Sequence, residues 1–186
     1  MPRRLSALIF IAALCARSLA MDSDATIPVR ADDPEMASAI STARQSVGQF
    51  IDALAHPKPG QRAFLLKIAF SKGSAVEHLW IADLDFHGET PMGTVADTPS
   101  KVDLKYMQRI PIDVSKLSDW MYLENGKLVG GFTTRLLRKR MSPAQRKEMD
   151  VECGYTIDDE PLGHNQSPDP TPASVTPVAG QPPRQP

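Results

Sequence analysis

AFLLKIAFSKGSAVEHLWIADLDF, residues 63–86, reads as two apolar strands around the break Ser71-Lys72-Gly73-Ser74. A glycine between two such runs signals a β-hairpin. Successive side chains of a strand point to opposite faces. In the first run Phe64, Leu66, Ile68 and Phe70 therefore share one face, and Ala63, Leu65, Lys67 and Ala69 the other. In the second run Val76, His78, Trp80, Ala82, Leu84 and Phe86 stand together, opposite Glu77, Leu79, Ile81, Asp83 and Asp85. Both faces are apolar from Leu79 to Ala82, which predicts a central strand whose more polar ends approach the rim of a sheet.

On the N-terminal side, Met36, Ile40, Ala43, Val47, Phe50, Ile51 and Leu54 recur at helical spacing behind Asp32-Asp33-Pro34. An acidic cap before a first-turn proline, followed by one apolar stripe, predicts an amphipathic helix that ends before His56-Pro57-Lys58-Pro59-Gly60. On the C-terminal side, Met92–Val95 predicts a short strand. Residues 104–112 read as mostly extended, with Pro111 at an edge or bulge, and residues 116–119 as a brief turn. Trp120–Glu124 and Lys127–Phe132 flank Asn125-Gly126, the strongest short-range hairpin signal. Gly130-Gly131 marks a bulge or a close backbone approach. From Thr133 the period turns helical, and Ser142-Pro143-Ala144-Gln145 starts a further helix with the pattern of a capping box. Helix, antiparallel strands, then helices make an α+β domain. Two arrangements fit: a helix across a curved antiparallel sheet, as in cystatin-like folds, or a small, partly closed barrel with C-terminal helices.

The first twenty residues, MPRRLSALIFIAALCARSLA, carry Arg3 and Arg4, an apolar run Leu5–Ala16 and the small-x-small site Ser18-Leu19-Ala20. This is the pattern of a secretory signal peptide cleaved near Ala20, and Leu14 before Cys15 argues against a lipoprotein signal. Cleavage would remove three arginines and no acid, taking the net charge from −1 to about −4. A mildly acidic, exported chain is a poor match for nucleic acid, so none is expected as a partner. Cys15 would leave with the leader, so Cys153 is expected as a small buried hydrophobe without a disulfide partner in its own chain. Residues 21–33 read as a short polar leader and 34–150 as one domain. Residues 151–186 read as a Pro-rich tail, with 8 of the 17 prolines from Pro161 onward and too little apolar surface to fold beyond Asp158.

The order EHLWIADLDF, then a short strand with glycine, then SDWMYLENGKLVGGFTTRLLRKRMSP resembles the bacterial YegJ-like family of uncharacterised domains. Glu77-His78-Leu79-Trp80, Asp119-Trp120-Met121-Tyr122, Gly130-Gly131 and Arg140-Met141-Ser142-Pro143 carry the resemblance, over roughly residues 38–150. It implies one domain and no particular chemistry.

Candidate site residues fall in two sets. Glu77, Asp83, Asp85 and His87 are the candidates for acid–base catalysis, as in a small hydrolase, although a solvated strand end explains the same carboxylates. Glu77 and His78 are neighbours on a strand and cannot pair directly. His78, Trp80, Asp119, Trp120 and Tyr122 are the candidates for ligand binding, since aromatics beside polar groups suit recognition surfaces. The basic run Arg135, Arg138, Lys139, Arg140, Arg146 and Lys147 reads as a solvated helix face or a contact for an anionic envelope surface. Metal-ligand spacings, nucleophile motifs and phosphate loops are missing, so no metal or cofactor is expected. The expectation is an exported periplasmic or secreted protein without a membrane span in its mature chain. It is expected to bind an unknown protein or envelope ligand as a non-catalytic binding or inhibitory module, with a structural or stress role without a ligand pocket as a further alternative.

Overall fold

The computed structural model describes residues 32–158; the leader and the tail beyond Asp158 lie outside them. Helix α1 (Pro34–Ala55) opens the domain, followed by strands β1 (Gln61–Lys72), β2 (Ala75–Asp85), β3 (Met92–Val95) and β4 (Arg109–Pro111). One 3-10 turn (Val114–Lys116) leads into β5 (Leu117–Glu124) and β6 (Lys127–Gly130), and helices α2 (Phe132–Arg140) and α3 (Pro143–Cys153) close it. Every strand pair is antiparallel, in one six-stranded sheet of order β4-β3-β2-β1-β5-β6. The sheet is open, with β4 and β6 at its edges, so the helix-on-sheet arrangement is the one adopted.

Local chemistry sets the element ends. Asp33 Oδ1 accepts hydrogen bonds from the Glu35 and Met36 amides at 3.0 and 3.1 Å, capping α1 ahead of Pro34. Asn125 and Gly126 take φ of 51° and 79°, the two positive values that a tight hairpin between β5 and β6 requires. Ser142 and Gln145 complete the capping box of α3.

Both faces of the sheet are buried. On the first, Ala43 and Phe50 of α1 pack on Leu66, Ile68, Leu79, Ile81 and Trp120. Each large side chain sequestered there contributes roughly 1.5–3 kcal/mol, which holds an amphipathic helix that could not stand alone. On the second, Leu65, Trp80, Ala82, Met121 and Leu123 meet Met149, Cys153, Tyr155 and Ile157.

Four expectations are corrected. Leu84 and Phe86 pack with the first face, not beside Trp80, because Asp83 adopts φ 47° and the β2–β3 pairing slips between Ala82 and Asp85. Of residues 104–112 only Arg109–Pro111 pairs, and β5 starts at Leu117, inside the expected turn. Residues 151–157 belong to the domain: α3 runs to Cys153, Gly154 turns the chain at φ 65°, and Thr156 bridges Lys127. Finally, Cys153 is fully buried as expected but is disulfide-bonded, with its partner outside the described residues.

Candidate functional site

A polar cluster interrupts the second face. Lys67, in the middle of β1, lies between two cross-strand partners, Trp80 on β2 and Asp119 on β5. Asp119 reaches that position through a bulge: Ile68 pairs with Leu117 and Lys67 with Asp119, leaving Ser118 as the extra residue. The Ser118 hydroxyl closes the bulge by donating to the Lys67 carbonyl at 3.0 Å. Asp119 thereby faces the row of Lys67 while Trp120 faces α1.

Asp119 is fully buried and saturated with hydrogen bonds. Its Oδ1 accepts from the Trp120 and Phe132 amides at 2.8 and 3.1 Å, and its Oδ2 from the Thr133 amide and hydroxyl at 2.8 and 2.6 Å. Helix α2 needs this carboxylate because its own cap residue is Gly131, left-handed at φ 66° and without a side chain. Burial pushes the Asp119 pKa up, against the pull of Thr133 and of the Lys67 charge.

Lys67 donates no hydrogen bond to either Asp119 or Asp97. Burial pushes its pKa down, and only the through-space charges of Asp119 and Asp97 oppose it. Its Nζ sits 5.1 Å from the centroid of the Trp80 ring, a cation–π contact. Asp97, just beyond β3, accepts from the Trp80 amide at 2.7 Å through Oδ2, while its Oδ1 is buried without a partner. Burial raises the Asp97 pKa.

A cavity of about 170 Å³ opens beside this cluster, lined by Met36 and Ile40 of α1, Lys67, His78, Ser118, Thr133 and Leu137. Three of its lining side chains are apolar, and Lys67, His78, Ser118 and Thr133 supply polar groups. His78 is exposed on the same row; desolvation of its inner edge, then the Lys67 and Arg44 charges, lower its pKa.

The expected site residues separate. Glu77 latches a loop, its carboxylate accepting from the Ser100 and Lys101 amides at 2.9 and 2.7 Å. Asp85 lies eight residues along, roughly 25 Å away at strand rise. There it meets the fully exposed His87 at 3.1 Å and Arg109 at 3.8 Å. Asp83 is exposed and offers its carbonyl to Arg109 at 2.9 Å. No common point therefore joins Glu77 to Asp83, Asp85 and His87. Trp80, Trp120 and Tyr122 are 8, 1 and 8 % exposed, so the expected aromatic recognition surface does not form. Trp120 instead donates to the Ala43 carbonyl at 2.9 Å, and Tyr122 stacks on Phe64. Of the binding candidates, His78, Trp80 and Asp119 do gather at the cluster. Lys67, Asp97 and Thr133 were not anticipated, although a charge in the middle of AFLLKIAF is a visible anomaly. Among the described residues no helix is long and apolar enough to cross a membrane.

A family described as "Uncharacterized protein conserved in bacteria (DUF2314)" matches residues 33–157, so its extent coincides with the folded core and includes the segment after α3. Over 88 residues the chain is 32% identical to the putative ankyrin repeat protein NMB1133/NMB1171 of Neisseria meningitidis serogroup B. That match takes in 47% of this chain and spans only about a third (35%) of that longer protein. Over 112 residues it is 29% identical to the uncharacterized protein YegJ of Escherichia coli K12, covering 60% of this chain and 72% of YegJ. No solved structure matches. With the whole described domain matched, the chain belongs to the DUF2314 family of proteins conserved in bacteria.

Proposed function

We propose that the protein is an exported, non-catalytic binding module of the bacterial cell envelope whose ligand occupies the cavity headed by Lys67. One observation carries the reading: Lys67, a donor with three N–H groups, lines a cavity together with the apolar Met36, Ile40 and Leu137 and the polar His78, Ser118 and Thr133. Its size, about 170 Å³, is close to that of the engineered cavity of about 150 Å³ that holds benzene. Asp119 and Asp97 stand near the amine, so a further carboxylate would be repelled. A compact ligand with a neutral carbonyl acceptor fits better. The dispersed carboxylates of β2 give no support to a hydrolase.

The test uses protein labelled with 13C at its methionine methyls, because Met36 lines the cavity. Benzamide is expected to move the Met36 signal saturably, and benzoate to do so much more weakly. An unmoved Met36 signal with millimolar benzamide, or equal responses to both, overturns the reading.

The pattern of residues 1–20 supports export. Intact mass from an envelope fraction is expected to begin at Met21. A full-length mass in the cytosol refutes export.

A further inference from the structure

Lys67 is the one amine among the side chains lining the cavity, and the arrangement around it suits more than hydrogen bonding. We propose that Lys67 captures small aldehydes covalently, as an imine formed inside the cavity. The inference rests on the binding reading above and adds the chemical class of ligand.

The neighbouring carboxylates leave the amine available. Both oxygens of Asp119 are occupied by amides and by the Thr133 hydroxyl, and the unburdened oxygen of Asp97 is turned into buried surroundings. Neither forms a direct hydrogen bond to Nζ, while apolar surroundings favour its neutral, nucleophilic form. Lys67 pairs on both sides within the sheet, with Trp80 and Asp119, so its backbone is fixed beside the cavity.

In the first step the Nζ lone pair adds to the carbonyl carbon, and the carbonyl π electrons move to oxygen. A proton passes from nitrogen to that oxygen, giving a carbinolamine. The hydroxyl then departs with a second nitrogen proton as water, and the C=N bond forms. No oxidant or reductant is consumed. His78, at the cavity wall and held towards its neutral form, is placed to carry those protons. When protonated, the imine is a cation facing Asp119 on β5, Asp97 beyond β3 and the Trp80 ring, all of which favour it; Arg44 of α1 acts on the His78 side and opposes it.

The experiment incubates the full chain at neutral pH with benzaldehyde and cyanoborohydride, which reduces imines to stable amines. Intact mass counts the benzyl groups, and a tryptic map locates them, because a modified Lys67 no longer permits cleavage before Ile68. Lys72 and Lys101 serve as internal references. Lys67 is expected to react at least about tenfold faster than these. Lys67→Met is expected to abolish the fast label. Leu137→Trp, which keeps the amine but fills the cavity, is expected to reduce Lys67 to the rate of the references. Labelling of Lys67 no faster than Lys72, or fast labelling that survives Leu137→Trp, overturns the proposal. If benzamide moves Met36 while benzaldehyde labels nothing selectively, covalent capture fails and the binding reading stands. If neither responds, both fail.

Discussion

Thr133 gives both its backbone amide and its hydroxyl to one oxygen of Asp119, at 2.8 and 2.6 Å, tying the first turn of α2 to the middle of β5. Four charge-assisted bonds converge on that buried carboxylate, and removing it strands the amides at the start of a helix. Asp119→Ala is expected to cost roughly 3 kcal/mol, the range for losing a helix cap and leaving buried donors unpaired. Urea unfolding measures it, and a loss below about 1 kcal/mol would contradict the cap.

Gly130 makes the opposite kind of demand, for space. A Cβ there would lie 2.4 Å from the Trp120 carbonyl oxygen and 2.5 Å from its ring, on a backbone already at φ 72°. Gly73, in the β1–β2 turn, has a similar φ of 59° with nothing within 4 Å. Gly73→Ala should therefore cost only the backbone penalty, about 1–2 kcal/mol. Gly130→Ala adds overpacking, for about 3 kcal/mol or more. Equal losses in the two variants would show that the contact with Trp120 carries no weight.

Asp33 and Arg140 connect the start of α1 to the end of α2, with Arg140 Nη2 at 2.9 Å from Asp33 Oδ1. The Arg140 guanidinium, aided by the Met36 amide, holds the Asp33 pKa at about 2, below its ordinary 3.8. Because the folded pKa is the lower one, this contribution to stability is present above pH 3.8 and is lost as the pH falls through about 2. The stability difference between the parent and Arg140→Met should shrink across that window. A difference that stays constant from pH 5 to pH 2 rules the linkage out.

Glu77 secures the loop after β3. Burial acts against its charge, but the Lys101 and Ser100 amides prevail and lower its pKa. Glu77→Gln replaces charge-assisted bonds with neutral ones. Hydrogen exchange of the Ser100 and Lys101 amides should accelerate about tenfold, with the β1 amides unchanged. Unchanged exchange at Ser100 would remove Glu77 from this role.

The β1 faces were readable because the alternation from Phe64 to Phe70 puts every large side chain of one face into the core cluster that also holds Ala43 and Phe50 of α1. The same rule fails after Asp83, where one left-handed residue shifts the register and carries Leu84 and Phe86 to the other side. The cluster was harder to read for a related reason. His78, Trp80 and Asp119 stood out by residue type, but their meeting with Lys67 depends on the Ser118 bulge, which no local signal announces. Aromatic composition misled in the other direction: Trp120 and Tyr122 sit beside polar residues in sequence, and alternation turns them under α1.

The strand order has a consequence for biosynthesis. β1 is interior to the sheet, yet its second neighbour, β5, is completed only at Glu124, fifty-two residues after Lys72. At ordinary elongation rates of about 5–20 residues per second, that is roughly 3–10 s during which one edge of the most apolar strand has no partner. For this interval the nascent chain presents a template for pairing with other chains. A holding chaperone should therefore engage it between the emergence of β1 and that of β5, and should release it once Trp120 can dock beneath α1.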